Sequence, residues 1–240
     1  MSSATRARAL VFGGTGAVGG AVVRGLREAG VATVFVWHRA KDKAAALAAE
    51  LDARPLQVDL GDATATRAAL RALGDGGFRP NLFIHCAGVT RTAPLAAISD
   101  EDWRVALQVN CHAALIALQE LAPAMAAEGQ GHVVLVGALD RAQSLPMPIA
   151  FAAAQGGLGA MTMAAAKELG RDGIRVNLVA LGPLEGGLSG QMDPALVKDY
   201  TTFSALRRLG QPVEAARAIL WLALENTYMS GKILTVNGGI

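Results

Sequence analysis

Two groups of residues in this chain have types and spacing that could do chemistry. The first is Gly13-Gly14-Thr15-Gly16-Ala17-Val18-Gly19, which follows a short apolar run and opens a stretch of helical spacing through Val18, Val22 and Leu26. Small residues at a strand-to-helix turn let backbone N–H groups approach a pyrophosphate at the positive end of a helix. Glycine spacing alone is a weak signal, and its place directly after a strand strengthens it. Gly13, Thr15, Gly16, Val18 and Gly19 are thus candidate phosphate contacts. The competing use is a tight turn with no ligand.

The second group closes the next two strands. Trp37-His38-Arg39-Ala40 holds no acid where an NAD-selective site places a carboxylate for the ribose 2′-hydroxyl. The Arg39 guanidinium matches a 2′-phosphate, with His38 beside it, which favours NADP(H) over NAD(H). The competing use of Arg39 is a solvated surface charge. Asp59, followed by Leu60, is placed to accept from an adenine amino group, and could also cap the helix beginning near Gly61.

Positioning both groups requires a framework, and the pattern supplies one. Apolar or β-branched runs predict strands at residues 8–12, 31–37, 56–60, 82–85, 133–136, 174–179 and 233–236. Helical spacing predicts helices at 17–30, 41–51, 62–73, about 100–125, 149–169 and 212–224. Ser99 caps the fourth helix, with Asp100, Glu101 and Asp102 in its first turn. Strand and helix alternate, so the expectation is one α/β Rossmann-type domain over 1–240, a doubly wound parallel sheet with helices on both faces. Residues 182–204 read as irregular and Gly-containing, a lid-like segment at about 183–205.

Composition excludes several classes. The 240 residues are 52% hydrophobic and 18% charged, too apolar for intrinsic disorder. A net charge of +2 gives no footprint for nucleic acid. Two cysteines rule out a disulfide scaffold or a Cys-rich zinc module. No spaced His/Cys/acid set predicts a metal, and the adjacent His85 and Cys86 point to opposite faces of a strand. Residues 145–166 carry only Gln155 and Thr162 as polar side chains but are broken by Pro146, Pro148, Gly156, Gly157 and Gly159. They read as a loop and a buried or subunit-contact helix, not a membrane span. The apolar stretch after Arg6 and Arg8 runs straight into the glycine turn, leaving no room for a signal-peptide core, so the expected location is cytoplasmic.

Taken in order, these pieces resemble the short-chain dehydrogenase/reductase family, and within it the 3-oxoacyl-acyl-carrier-protein reductases and related polyketide ketoreductases. The likeness runs through the glycine turn, Val58-Asp59-Leu60, Cys86-Ala87-Gly88, Trp103 to Asn110, Gly173-Ile174-Arg175-Val176-Asn177, Arg208-Leu209-Gly210 and Val236-Asn237-Gly238-Gly239. It implies seven parallel strands, usually a tetramer, and NADP(H)-linked reduction of a carrier-bound acyl or polyketide carbonyl. It also adds Ala87 and Gly88 to the cofactor contacts.

The catalytic positions depart from that family. Its Ser just past the fifth strand falls on Gly137-Ala138. Its Tyr-x-x-x-Lys falls on Phe151-Ala152-Ala153-Ala154-Gln155. Of the usual four side chains only Asn110 remains, and Asn110 can instead stabilise a helix distortion. His85-Cys86 stands for Asn-Asn, Ala17 for a turn glycine, and Leu181-Gly182-Pro183 for the usual Pro-Gly. Phenylalanine has no proton to give, alanine no hydroxyl, and glutamine no charge. Loss of a general acid costs about 10²–10⁴ in rate, and loss of electrostatic support compounds it. Phe for Tyr and Gln for Lys conserve volume, as expected if the pocket is kept. The candidate substitutes are Tyr200, swinging in from the lid-like segment, and Asp140, Arg141, Gln143 or Ser144 on the loop after Ala138 that the resemblance places beside the substrate, where the competing use is an ordinary polar loop. Tyr228 reads as structural.

Three readings follow from the sequence. The chain acts on an acyl or polyketide intermediate by non-redox chemistry, or chemistry that needs only binding and orientation. Alternatively it is a non-catalytic subunit or binding partner, a homotetramer or a hetero-oligomer with an active reductase. Alternatively it is an NADP(H)-dependent ketoreductase with an atypical proton donor.

Overall fold

The computed structural model describes residues 7–138 and 146–240. Seven strands form one parallel sheet in the order β3-β2-β1-β4-β5-β6-β7. They are β1 (Arg8–Phe12), β2 (Ala32–Trp37), β3 (Arg54–Gln57), β4 (Leu82–His85), β5 (Gly131–Gly137), β6 (Ile174–Leu181) and β7 (Ile233–Val236). Central strands covered on both faces must be apolar almost throughout, and β1 and β4 have that composition. The register pairs Val11 with Phe35 on one side and with Ile84 on the other.

Eight α-helices cover the two faces among the described residues: α1 (Ala17–Glu28), α2 (Lys41–Leu51), α3 (Ala63–Asp75), α4 (Asp100–Leu107), α5 (Ala113–Ala127), α6 (Ile149–Leu169), α7 (Pro194–Phe203) and α8 (Pro212–Leu224). One core joins Phe12, Phe83, Leu118, Met125 and Leu158 from the sheet and from α5 and α6. The other joins Val22, Leu26, Phe35, Ile219 and Leu222 from the sheet, α1 and α8. The chain winds from β1 outward to β3, then returns to place β4 on the other side of β1. The carboxyl ends of β1 and β4 therefore flank a crevice at the switch point, the place where such sheets take ligands.

Several expectations need correction. The third strand lies at Arg54–Gln57, not at 56–60. Val58 N–H still bonds the Trp37 carbonyl at 2.9 Å, and the chain then turns over the sheet. Val58 and Leu60 are apolar because they are buried at that crossing, not because they pair as strand. Pro55 is tolerated because β3 is an edge strand. The helix expected from residue 100 to 125 is two α-helices joined by a π-helical turn, Gln108–His112. The stretch expected to be irregular holds a 3₁₀ turn (Gly187–Gln191) and α7. Asp193 caps α7 by accepting from Ala195 N–H at 2.7 Å, and Pro194 takes the first helical position, where a missing N–H costs nothing. Two helical stretches, Asp100–Ala127 and Ile149–Asp172, are long and apolar enough to cross a membrane by length and composition. Both pack on the sheet, with Ile116, Leu121 and Met125 of the first and Leu158 of the second in the core.

Candidate active-site cleft

A cleft of about 1670 Å³ opens over the carboxyl ends of the strands. At its floor lies the glycine turn. Gly13 sits at φ +76°, and a Cβ there would stand 2.7 Å from the Ala87 backbone. A Cβ on Gly19 would stand 2.1 Å from the Gly13 carbonyl. Glycine is thus required where the turn meets the end of β4 and where α1 folds back on it. The turn is fixed by Gly14 N–H bonding the Val36 carbonyl and Gly16 N–H bonding the Gly13 carbonyl, both at 3.0 Å. Gly13, Thr15, Gly16, Val18, Gly19, Ala87 and Gly88 all line the cleft.

One end of the cleft carries the charge. His38, Arg39, Asp59 and Leu60 line it there, beyond the ends of β2 and β3. Asp59 Oδ1 accepts from Gly61 N–H at 2.8 Å and lies 3.6 Å from His38 Nδ1. The helix cap considered for Asp59 belongs to Asp62, whose Oδ1 accepts from Ala65 N–H at 2.9 Å. Arg104 borders the same end, 3.4 Å from the Gly61 carbonyl, and pairs with Glu101 at 2.7 Å. Among the described residues these are the only cationic side chains on the cleft wall.

The opposite corner brings together Asn110, Ala138, Phe151 and Gln155. Phe151 and Gln155 lie one helical turn apart on α6 and are 9% and 6% exposed. Gln155 Oε1 accepts from the Ala138 N–H at 3.2 Å. Its oxygen thus closes the end of β5, and no partner for its amide nitrogen appears among the described residues. Asn110 is committed to backbone. Its Oδ1 accepts from Val89 N–H at 3.0 Å, and its Nδ2 donates to the carbonyls of Val89 at 2.9 Å and Ala106 at 2.8 Å. The π turn leaves the Ala106 carbonyl to this side chain. Asn110 here splints a helix distortion to the segment after β4.

Neither of the neighbouring reactive-looking residues is poised for chemistry near neutral pH. His85 is fully buried, edge-on to Phe12 with ring centroids 5.8 Å apart. Neither ring nitrogen has a hydrogen-bond partner, and burial drives the imidazole down to about 4. Burial likewise pushes the Cys86 thiol up to about 12. No metal-binding group of three His, Cys, Asp or Glu occurs among the described residues.

Of the candidate substitutes, only Tyr200 lies among the described residues. Tyr200 is 1% exposed, and its hydroxyl donates to the Asn237 carbonyl, away from the cleft lining. The expected inward swing would have to break this bond and leave a core position empty. Tyr228 is 97% exposed. Asp140, Arg141, Gln143 and Ser144 lie outside the described residues.

Sequence reasoning missed two residues of the cleft. Leu188, on the 3₁₀ turn Gly187–Gln191, reaches Gly88. A Cβ on Gly88 would lie 3.2 Å from both Leu188 Cδ1 and Asn110 Oδ1. Thr90 lines the cleft with its hydroxyl buried and without a partner. The apolar Leu188 between glycines was a signal for Leu188. Nothing local marks Thr90.

Comparison with known proteins agrees with this architecture. Residues 14–240 match the family model described as enoyl-(acyl carrier protein) reductase. A 3-oxoacyl-acyl-carrier-protein reductase, FabG, of Thermotoga maritima is 28% identical over 237 residues, covering 96% of each chain. The uncharacterized oxidoreductase YohF of Escherichia coli is 30% identical over 221 residues, 89% of this chain and 87% of that one. A solved structure described as a short chain dehydrogenase/reductase family protein superposes with a TM-score of 0.84 at 26% identity, covering 97% of this chain and 96% of that one. With a family match spanning nearly its whole length, the chain belongs to the short-chain dehydrogenase/reductase family.

Proposed function

We propose that this protein binds a nicotinamide dinucleotide, NADP(H) in preference, together with an acyl or polyketide intermediate, and does not reduce that intermediate by side-chain proton donation. The work left to it is non-redox, of a kind that needs binding and orientation. One observation carries this reading. The corner where the family's hydroxyl and ammonium groups would meet substrate is filled by Ala138, Phe151 and the amide of Gln155, whose oxygen is spent on Ala138 N–H. A phenyl ring and a methyl cannot move a proton, and a neutral amide cannot stabilise a developing alkoxide as an ammonium does.

The dinucleotide end supports the other half of the reading. The turn packs so closely at Gly13 and Gly19 that only glycine fits, and a glycine turn of this kind at the start of α1 supports the reading of a pyrophosphate site. Gly13, Thr15, Gly16, Val18 and Gly19 would hold the phosphates. Arg39 with His38 would face the 2′-phosphate, Asp59 and Leu60 the adenine, and Ala87 and Gly88 the ribose side. When bound, the nicotinamide supplies a hydride donor, and no described side chain at the corner supplies the matching proton. The relatives named for acyl-carrier-protein substrates support a carrier-bound acyl group as the other ligand.

The test pairs two measurements on the purified protein. Calorimetric titration should give micromolar NADPH affinity. A panel of 3-oxoacyl thioesters should then consume NADPH at least about 10²-fold more slowly than an active reductase does. Absence of NADPH binding up to millimolar concentration, or rapid NADPH consumption, overturns the proposal.

A further inference from the structure

After β3 the chain crosses toward α3 as Val58-Asp59-Leu60-Gly61-Asp62, outside any strand. Val58 N–H still bonds the Trp37 carbonyl at 2.9 Å. Beyond it the bonds within the crossing are local: Gly61 N–H to Asp59 Oδ1 at 2.8 Å, and Asp62 N–H to the Asp59 carbonyl at 3.1 Å. A segment without ladder bonds keeps its place only if something outside it holds its polar backbone.

The π turn does the holding. Gln108 is 7% exposed, and its Nε2 donates to the Leu60 carbonyl at 3.1 Å. Arg104, one turn earlier on α4, stands 3.4 Å from the next carbonyl, that of Gly61. A carbonyl only accepts, so the amide nitrogen of Gln108 faces Leu60 and its oxygen faces elsewhere. That oxygen lies 2.6 Å from Nδ1 of His112, four residues on. The Nδ1 therefore carries the proton, and the imidazole fixes which way the buried amide is turned. The neutral Nδ1–H tautomer and the imidazolium both make this bond. The contacts thus run from exposed His112 through buried Gln108 to Leu60, and Leu60 and Asp59 line the cleft. The same turn carries Asn110, bonded to Val89, so one helical distortion grips both walls.

Resting on the reading above of this end as the dinucleotide site, we infer that Gln108 is a positioning residue for the adenosine half of the ligand. Gln108 is not on the cleft wall. It acts through the Leu60 carbonyl, setting where Asp59 and Leu60 stand against an adenine ring, and His112 acts through Gln108. An amide bonded at both ends is content in the interior and restricts the segment it holds. Without it the Leu60 carbonyl is left unpaired, and the crossing must shift to find water.

The probes are adenosine 2′,5′-bisphosphate, which carries the adenosine half alone, and NADPH, titrated calorimetrically into the full protein. Hydrogen–deuterium exchange of the unliganded protein reads the crossing itself. Gln108→Leu, close in volume, deletes both bonds. Both probes should then bind about five- to tenfold more weakly, and by the same factor. Exchange at Gly61 and Asp62 should quicken while β4 and α5 stay protected. Gln108→Glu keeps an acceptor for His112 but turns a carboxylate toward the Leu60 carbonyl, and should cost at least as much. His112→Phe frees the amide to turn over and should cost about two- to threefold. His112→Asn, whose amide nitrogen can stand where Nδ1 stood, should recover most of that loss. Unchanged affinity for both probes in Gln108→Leu overturns the inference. So does exchange that rises across the whole sheet, which makes Gln108 an ordinary core residue. An unaltered protein that binds neither probe up to millimolar concentration overturns the dinucleotide reading, and this inference with it. That failure is told apart because it precedes any substitution.

Discussion

Asn110 and Val89 are joined by two hydrogen bonds running in opposite directions, Val89 N–H to Asn110 Oδ1 at 3.0 Å and Asn110 Nδ2 to the Val89 carbonyl at 2.9 Å. A third bond from the same amide reaches the Ala106 carbonyl at 2.8 Å. The side chain, 1% exposed, thus splices the π turn to the segment that carries Thr90 into the cleft. Asn110→Ala should destabilise the fold by about 2–4 kcal/mol, since three bonds vanish and backbone groups are left unpaired in the interior. Urea unfolding measures this. A change below about 0.5 kcal/mol would mean that Asn110 is not the splint.

Tyr200 makes a similar argument for α7. Its ring is buried and its hydroxyl donates to the Asn237 carbonyl, fastening α7 to the chain beyond β7. Tyr200→Phe removes one hydrogen bond with no loss of volume, so stability should fall by about 1 kcal/mol. Thioester and NADPH affinities should stay within about twofold. A large loss of either ligand would return Tyr200 to the cleft.

Stability should depend on pH through the buried imidazoles. His85 is held down to about 4 by burial, and His132 to about 4 by burial and by the Arg175 guanidinium beside it. An unfolded histidine titrates near 6.5. Between pH 6.5 and 4 the unfolded chain binds more protons than the native one, so stability falls as pH falls through that window and levels off below it. For fully buried His85 the contribution is about 3 kcal/mol. His85→Asn should flatten the unfolding free energy measured between pH 4.5 and 7. An unchanged slope would show that His85 does not carry it.

The proposed preference for NADP(H) rests on Arg39, with His38 beside it. Charge-assisted bonds to a phosphate are worth about 1.5–3 kcal/mol, so Arg39→Ala should weaken NADPH about 10- to 100-fold and leave NADH nearly unchanged. Equal losses for both nucleotides would assign Arg39 a structural role instead.

The fold was legible because periodicity and punctuation agreed. The α6 bounds, Ile149–Leu169, and the β7 bounds, Ile233–Val236, coincide with the expected ones. What could not be read was geometry that depends on crossings. Val58-Asp59-Leu60 has the composition of a strand, yet it is burial over the sheet edge that makes it apolar. The π turn at Gln108–His112 leaves the helical period almost intact and is visible only through the bonds of Asn110. In the cleft, the glycine turn announced itself by type and spacing. Thr90 did not, because an orphaned hydroxyl is a property of what surrounds it.

If the corner is a reductase site deprived of its acid, then restoring the chemistry should restore the reaction. Ala138, Phe151 and Gln155 already line one wall, and Phe151 and Gln155 share one face of α6. The triple change Ala138→Ser, Phe151→Tyr, Gln155→Lys supplies a hydroxyl, a phenol and an ammonium without altering the backbone that presents them. The ammonium lowers the phenol pKa, and the phenol hands its proton to the developing alkoxide. NADPH-dependent reduction of a 3-oxoacyl thioester should rise by about 10²-fold or more over the unaltered protein. Phe151→Tyr alone should recover less, because an unsupported phenol titrates too high to give its proton readily. A triple variant that binds NADPH and thioester with full affinity, yet consumes no NADPH, would place the reacting carbonyl elsewhere in the cleft.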